Sequence, residues 1–97
     1  MDKEIIYLEG NVITIDELLH IPRTNIPDLY KRVLVFRTDD GQEMYPEVRN
    51  QRLKMLDREQ IYEGCRVKLG FTFEGSQKNG KRYNNIYVNS IKKITNG

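Results

Sequence analysis

The stretch EGCRVKLGFTFEGSQKNGKRYNNIYVNSIKKI, residues 63–94, alternates apolar and polar side chains over most of its length. Val67, Leu69, Phe71 and Phe73 take every second position, opposite Arg66, Lys68, Gly70 and Thr72. That is the pattern of a strand with one buried face, so all four apolar residues are expected to point inward. Asn79-Gly80 tolerates two successive positive φ angles, which predicts a tight hairpin at residues 77–81. In the strand that follows, Ile86 and Val88 share one face, while Tyr83, Asn85 and Tyr87 share the other. Ile91 does not keep this parity, so a bulge is expected near Asn89-Ser90.

Towards the N-terminus the same period recurs in shorter stretches. Residues 4–15 read as a first strand, with Gly10 in its middle predicting a bulge or sharp coil. Residues 16–30 carry Pro22 and Pro27 and read as a long loop with a helical turn at residues 16–19. Its apolar residues Leu18, Leu19, Ile21, Ile26 and Leu29 are expected to plug one end of the domain, or to meet another chain. Residues 31–38 form a second strand, Asp39-Asp40-Gly41 a turn, and residues 42–49 a third strand in which Pro46 requires an edge or a bulge. Asn50 is placed to cap a short helix beginning at Gln51, with Leu53 and Leu56 buried and Arg52 and Lys54 in water.

Three strands, a short helix and two further strands make a mainly β chain, and five strands of this size close into a small barrel. A helix between the third and fourth strands is the order of an OB-fold, and one such domain is expected over residues 1–97. The chain is 97 residues and 11.5 kDa with 31% charged residues, which excludes a multidomain enzyme. A chain of this size buries only about 60–70% of its unfolded surface, so a deep substrate cavity is not expected. No apolar run approaches the roughly 18 residues that span a bilayer, and Met1-Asp2-Lys3-Glu4 does not open a secretory signal. No membrane association and a cytoplasmic location are therefore expected.

Part of the chain also resembles a known family. Glu63-Gly64-Cys65-Arg66-Val67-Lys68-Leu69, followed by Asn79-Gly80-Lys81-Arg82-Tyr83-Asn84-Asn85-Ile86, looks like the fourth and fifth strands of bacterial single-stranded DNA-binding proteins. It is closer still to a small, little-characterised bacterial OB family related to them. The resemblance covers about residues 30–94 and rests on a Gly-x-x-Val strand opening and an Asn-Gly-Lys hairpin. It implies the OB-fold and the binding of single strands. Family members commonly have a Trp-rich or Phe-rich second and third strand, whereas this chain has no Trp and only Phe36 and Tyr45 there. The stacking platform that the resemblance implies is thinned.

Charge points the same way. The formal net charge of +2 is the sum of −5 over residues 1–48 (five Lys/Arg, ten Asp/Glu) and +7 over residues 49–97 (eleven and four). Single strands are held by cations that track phosphates and by flat side chains that stack on bases. The expected binding set is Arg66, Lys68, Tyr83, Asn85 and Tyr87 on the strand surface and Lys78, Lys81 and Arg82 at the hairpin. The expected partner is single-stranded DNA or RNA, bound weakly and with little sequence preference. So few phosphate contacts make a homo-oligomer the expected working form. Strand-surface lysines also protect edges from aggregation, and half-buried tyrosines also serve packing. Carboxylates at Glu4, Glu9, Asp16, Glu17 and Asp28 would repel phosphate if they shared the binding face, or could meet the basic half of another copy.

Catalysis is not expected. His20 and Cys65 are each the only residue of their kind, which leaves no multi-ligand metal site, and no nucleophile, acid/base pair or glycine-rich phosphate loop can be assembled. No metal and no cofactor are expected. Cys65, at a strand start, is expected to be a buried small residue. The other functional classes left open are a protein-interaction or assembly module using the barrel edges and the 18–29 segment, and a small-ligand or oligosaccharide binder.

Overall fold

The computed structural model describes residues 4–95. In chain order its elements are β1 (Ile6–Ile15), β2 (Leu19–Ile21), β3 (Leu29–Thr38), β4 (Glu43–Met44) and β5 (Glu47–Arg49). A 3₁₀ turn (Asn50–Leu53) leads into α1 (Lys54–Arg58), followed by β6 (Arg66–Lys78) and β7 (Lys81–Lys93). The strands close in the cycle β1-β6-β7-β5-β3 and back to β1. This is the expected five-stranded OB barrel: β4 and β5 are the halves of its third strand, and β2 is an addition within the first loop.

Closure depends on β1, which pairs with β6 through Ile6–Asn11 and with β3 through Gly10–Ile15. Gly10 and Asn11 are thus paired on both sides. A side chain at residue 10 would run into the Arg37 carbonyl oxygen and come to 2.8 Å from Cζ of Phe36. Gly10 therefore serves a close backbone approach, and the bulge expected there lies instead between Val12 and Thr14. On the far side of the barrel, β5 meets β7 in parallel at Glu47 and Tyr87. The break at Pro46 costs little, because the Leu34 N–H donates to the Pro46 carbonyl at 2.9 Å and carries the ladder across it.

Val12, Leu34, Phe36, Val48, Val67 and Leu69 are completely buried in the barrel interior. Met55 and Leu56 of α1 and Cys65 join the same cluster. The helix, not the 16–30 segment, supplies those side chains. That segment contains no helical turn: it forms an arm in which β2 pairs with residues 29–31 of β3. Leu29 is buried, but Leu18, Leu19, Ile21 and Ile26 are exposed, so the arm does not plug the barrel. Asn50 does not cap the helix either. It takes a positive φ of 50°, and its Oδ1 accepts the backbone N–H of Tyr30 at 3.0 Å, tying the helix start to β3.

Two expectations about the C-terminal strands resolve differently. Gly70 faces Ser90 and Phe71 faces Val88, which leaves Asn89 as the extra residue of the expected bulge. Phe73, expected inside, is 54% exposed. The β1 ladder ends at Ile6 opposite Phe71, so β6 and β7 run on past it, and Phe73 meets Phe71 edge-on at 5.4 Å while staying half-exposed. Among the described residues no helix is long and apolar enough to cross a membrane.

Gly10→Ala should cost about 3 kcal/mol or more, since backbone rather than a flexible side chain occupies the space. Gly75→Ala, where nothing lies within 4 Å, should stay within about 0.5 kcal/mol. Urea unfolding of the two variants checks this, and equal midpoints would refute the closure role of Gly10.

Candidate nucleic-acid interface

The β6–β7 hairpin turns on Asn79 (φ 53°) and Gly80 (φ 76°), the two positive angles expected from the Asn-Gly pair. Directly before and after the turn, Lys78 and Lys81 face one another across the ladder. Like charges in directly opposed positions destabilise a hairpin. Neither lysine has an ion-pair partner among the described residues, nor does Arg82 next to them. Tyr83 sits opposite Ser76 and is 47% exposed. By register Lys78, Lys81 and Tyr83 share one side of the hairpin, while Arg82 shares the other with Phe73 and Ile86.

The remaining expected binding residues are spread along the same ladder and are engaged within the fold. Ten residues separate Arg66 from Ser76, roughly 33 Å along a strand, so the set does not form a single patch. Arg66 donates to both carboxylate oxygens of Asp39, at 2.8 and 2.9 Å, and stands 3.7 Å from Glu9. Lys68 lies 5.5 Å from the ring centre of Tyr7, within cation–π range, and faces Glu9 across the β1–β6 ladder. Asn85 donates to the Glu74 carbonyl and the Ser76 hydroxyl, bracing the base of the hairpin. Tyr87 is covered by Arg49, whose guanidinium carbon is 4.7 Å from the ring centre.

Arg49 opens a second feature that reading the sequence does not reach. A groove of about 750 Å³ runs between β5, the 3₁₀ turn and β7, lined by Arg49, Asn50, Gln51, Arg52, Tyr87 and Asn89 among others. The Nε of Arg49 is sealed from solvent, 3.8 Å from Glu47 and without a hydrogen-bond partner among the described residues. Arg52 donates its Nε to the Asn89 carbonyl at 3.3 Å. The sequence signal for Arg49 is that it shares a face of the third strand with Glu47, two positions away. The parallel closing pair that brings β5 beside Tyr87 leaves no mark in local sequence. Tyr45, 59% exposed beside the Pro46 break, is a further flat side chain outside the expected set.

The acidic half does not converge on one face. Glu9 accompanies Arg66, Asp16 and Glu17 border a notch with Glu63, and Asp28 accepts a hydrogen bond from His20 at 2.8 Å. The His20 ring stacks on Tyr30 at 4.4 Å, so His20 and Asp28 close the arm. On the outer side of β3 to β5, Lys31 pairs with Glu47 at 2.7 Å and Arg37 with Glu43 at 2.8 Å. Among the described residues no group of three His, Cys, Asp or Glu side chains is placed to hold a metal.

The Arg66 hydrogen bonds hold the Asp39 carboxyl below the usual aspartate range, and the His20 hydrogen bond does the same for Asp28. A carboxyl lowered by folding contributes stability that is present above its unfolded value and lost as pH falls through the folded one. Arg66→Gln should therefore be less stable than the parent chain near neutrality, with the gap closing on acidification. Unfolding midpoints between about pH 7 and about pH 2.5 check this, and a gap independent of pH would exclude the Asp39 pair as its source.

Neither a protein-family model nor a curated protein matches the chain. Solved structures do. The mitochondrial single-stranded DNA-binding protein of S. cerevisiae superposes with a TM-score of 0.65 at 14% identity, covering 99% of this chain and all of that one. The N-terminal domain of PriB from Thermoanaerobacter tencongensis, described as dimeric, gives 0.53 at 14% identity over 94% and 96% of the two chains. A small single-stranded DNA-binding protein from Streptomyces coelicolor gives 0.50 at 12% identity over 97% and 96%. At these identities the likeness establishes the fold: the chain shares the OB architecture of these proteins.

Proposed function

We propose that the chain is a non-enzymatic OB module that binds single-stranded nucleic acid, with the β6–β7 hairpin as the main contact. The observation that carries this is the hairpin end, where Lys78 and Lys81 oppose each other, with no ion-pair partner among the described residues, beside Arg82 and exposed Tyr83. The fold tolerates a like-charge pair that a phosphate would relieve. The cations at Lys31, Arg37 and Arg66 are paired with carboxylates, whereas those at the hairpin end have no such partner among the described residues. The similarity to two structures of single-stranded DNA-binding proteins supports the same reading. Cations and a stacked tyrosine read backbone and base faces rather than base edges, so the hairpin itself carries little sequence preference.

With so few contacts, one chain binds weakly, in the range of about 10⁻⁴–10⁻⁶ M expected of sequence-independent binding. Fluorescence anisotropy with a labelled oligothymidylate at several salt concentrations tests the proposal. Lys81→Ala should lower the slope of log affinity against log salt by about 1. Tyr83→Ala should weaken binding about tenfold at an unchanged slope. No binding at tens of micromolar protein in low salt removes the proposal.

A second copy of the chain is the proposed means of raising affinity. The exposed Leu18, Leu19, Ile21 and Ile26 of the arm favour self-association, and one similar structure is described as dimeric. Light scattering should return a dimer or larger, and Ile21→Lys should shift it towards the monomer. A monomeric parent chain would remove the self-association reading and leave the hairpin proposal standing.

A further inference from the structure

We infer that the outer face of β1, β6 and β7, at the end of the ladder away from the hairpin turn, is a second contact for the bound strand, with Lys68, Lys92 and Arg58 on its phosphates and Tyr7 under a base. The inference rests on the nucleic-acid reading above and adds a second site to it, and with that site a minimum length of strand.

Lys68 and Lys92 face one another across the β6–β7 ladder, the same opposition of like charges that Lys78 and Lys81 make at the turn. Glu9 lies on the other side of Lys68, but its ion pair is with Arg66, at 3.7 Å. Many strand lysines guard an open edge, yet at Lys68 β6 is paired on both sides, so edge protection does not account for this one. A third cation comes from the helix. Arg58 borders, with Lys68, Lys92 and Tyr7, a shallow hollow of about 420 Å³. None of these three cations has an ion-pair partner among the described residues, and Glu59 is the carboxylate they share the hollow with.

Tyr7 supplies a flat surface in the same place. Gly70 stands directly across from it, and a side chain at residue 70 would come to 2.8 Å from Cε1 of the ring and 2.5 Å from Oγ of Ser90. The bare glycine lets the ring lie across the sheet towards Ser90, where Tyr7 stays 54% exposed and the Lys68 ammonium is 5.5 Å from the ring centre. Unpaired cations beside an exposed ring are what a single strand uses, charge for its backbone and a flat face for its bases. An isolated phosphate would use the cations and leave the ring idle. The hollow and the hairpin end also lie in one line: by register Lys68 and Lys78 share a side of β6, ten residues or roughly 33 Å apart. Single OB folds take strands of about 4–16 nucleotides. The shortest of these falls short of that span even when extended, and the longest exceeds it even at the stacked rise of about 3.4 Å per nucleotide.

The test compares labelled oligothymidylates of about 4 and about 16 nucleotides by fluorescence anisotropy over a range of salt. The long strand should show the steeper slope of log affinity against log salt on the parent chain. Lys92→Ala should lower the long strand's slope by about 1, and Tyr7→Leu should weaken its binding about tenfold at an unchanged slope. Equal slopes for the two strands, or a long strand indifferent to Lys92→Ala or to Tyr7→Leu, would overturn the second contact while leaving hairpin binding intact. Failure of the parent chain to bind either strand would overturn both.

Discussion

The barrel depends on one strand serving two partners. β1 crosses from β6 to β3 at Gly10 and Asn11, and the crossing requires the Arg37 backbone and the Phe36 ring to occupy the space where a side chain would stand. If β1 held only one partner, the β3–β5 and β6–β7 pairs would separate, exposing the faces that carry Leu34, Phe36, Val67 and Leu69. Those side chains are fully buried only because both ladders meet on β1. The closing pair at Glu47 and Tyr87 follows from the same constraint: once β1 curls the sheet, β5 and β7 are brought edge to edge. The surface groove and the projecting hairpin are both consequences. One opens beside the closing seam, and the other begins where the β1 ladder ends at Ile6.

Closure also explains what became of the charge polarity between the two halves of the chain. Folding sets acidic residues of the first half against basic residues of the second: Asp39 and Glu9 against Arg66, and Glu47 near Arg49. Exposed pairs of this kind contribute little stability, with a median of about 0–1 kcal/mol. Their larger effect is on the field outside the protein. Each pair removes a cation that would otherwise attract phosphate, and the hairpin end is one of the places where positive charge stays unpaired among the described residues. Pairing within the barrel thereby makes the distribution of unpaired charge differ from what the net charge of either half suggests.

Features governed by local pattern were legible in the sequence. The period of two in residues 66–72, the Asn79-Gly80 turn and the parity slip at Asn89 each depend on near neighbours, and each is found where the residues put it. Features governed by distant partners were not. Phe73 continues an inward parity, but whether an inward side chain is covered depends on the length of β1, sixty-odd positions away. Gly10 looks like a bulge because a glycine in a strand has two common causes, and only the position of Arg37 decides between them. The arm misleads for a related reason: apolar residues between prolines suggest burial, yet the interior was already filled by Met55 and Leu56 from the helix. Within the candidate site, the hairpin cations were legible as a run without acids. The engagement of Tyr87 by Arg49 was not, because it arises from a single parallel bridge.

A barrel filled this completely has no room for a ligand inside. Six side chains at zero exposure, with α1 contributing to the same core, confine recognition to the outer surface. That surface carries two features with different physical limits. The hairpin extends from a two-residue turn and is braced at its base by Asn85, so it can follow a backbone but can hold no base edge in a fixed frame. The groove is walled by the closing strands and by Asn50, which is fastened to β3, so its donors are fixed relative to one another. Discrimination requires fixed donors, since a mobile one can follow whichever acceptor is present. Unpaired charge on a projecting ladder and donors fixed along a seam are thus different physical resources, and only the second has the rigidity that choosing between ligands would require.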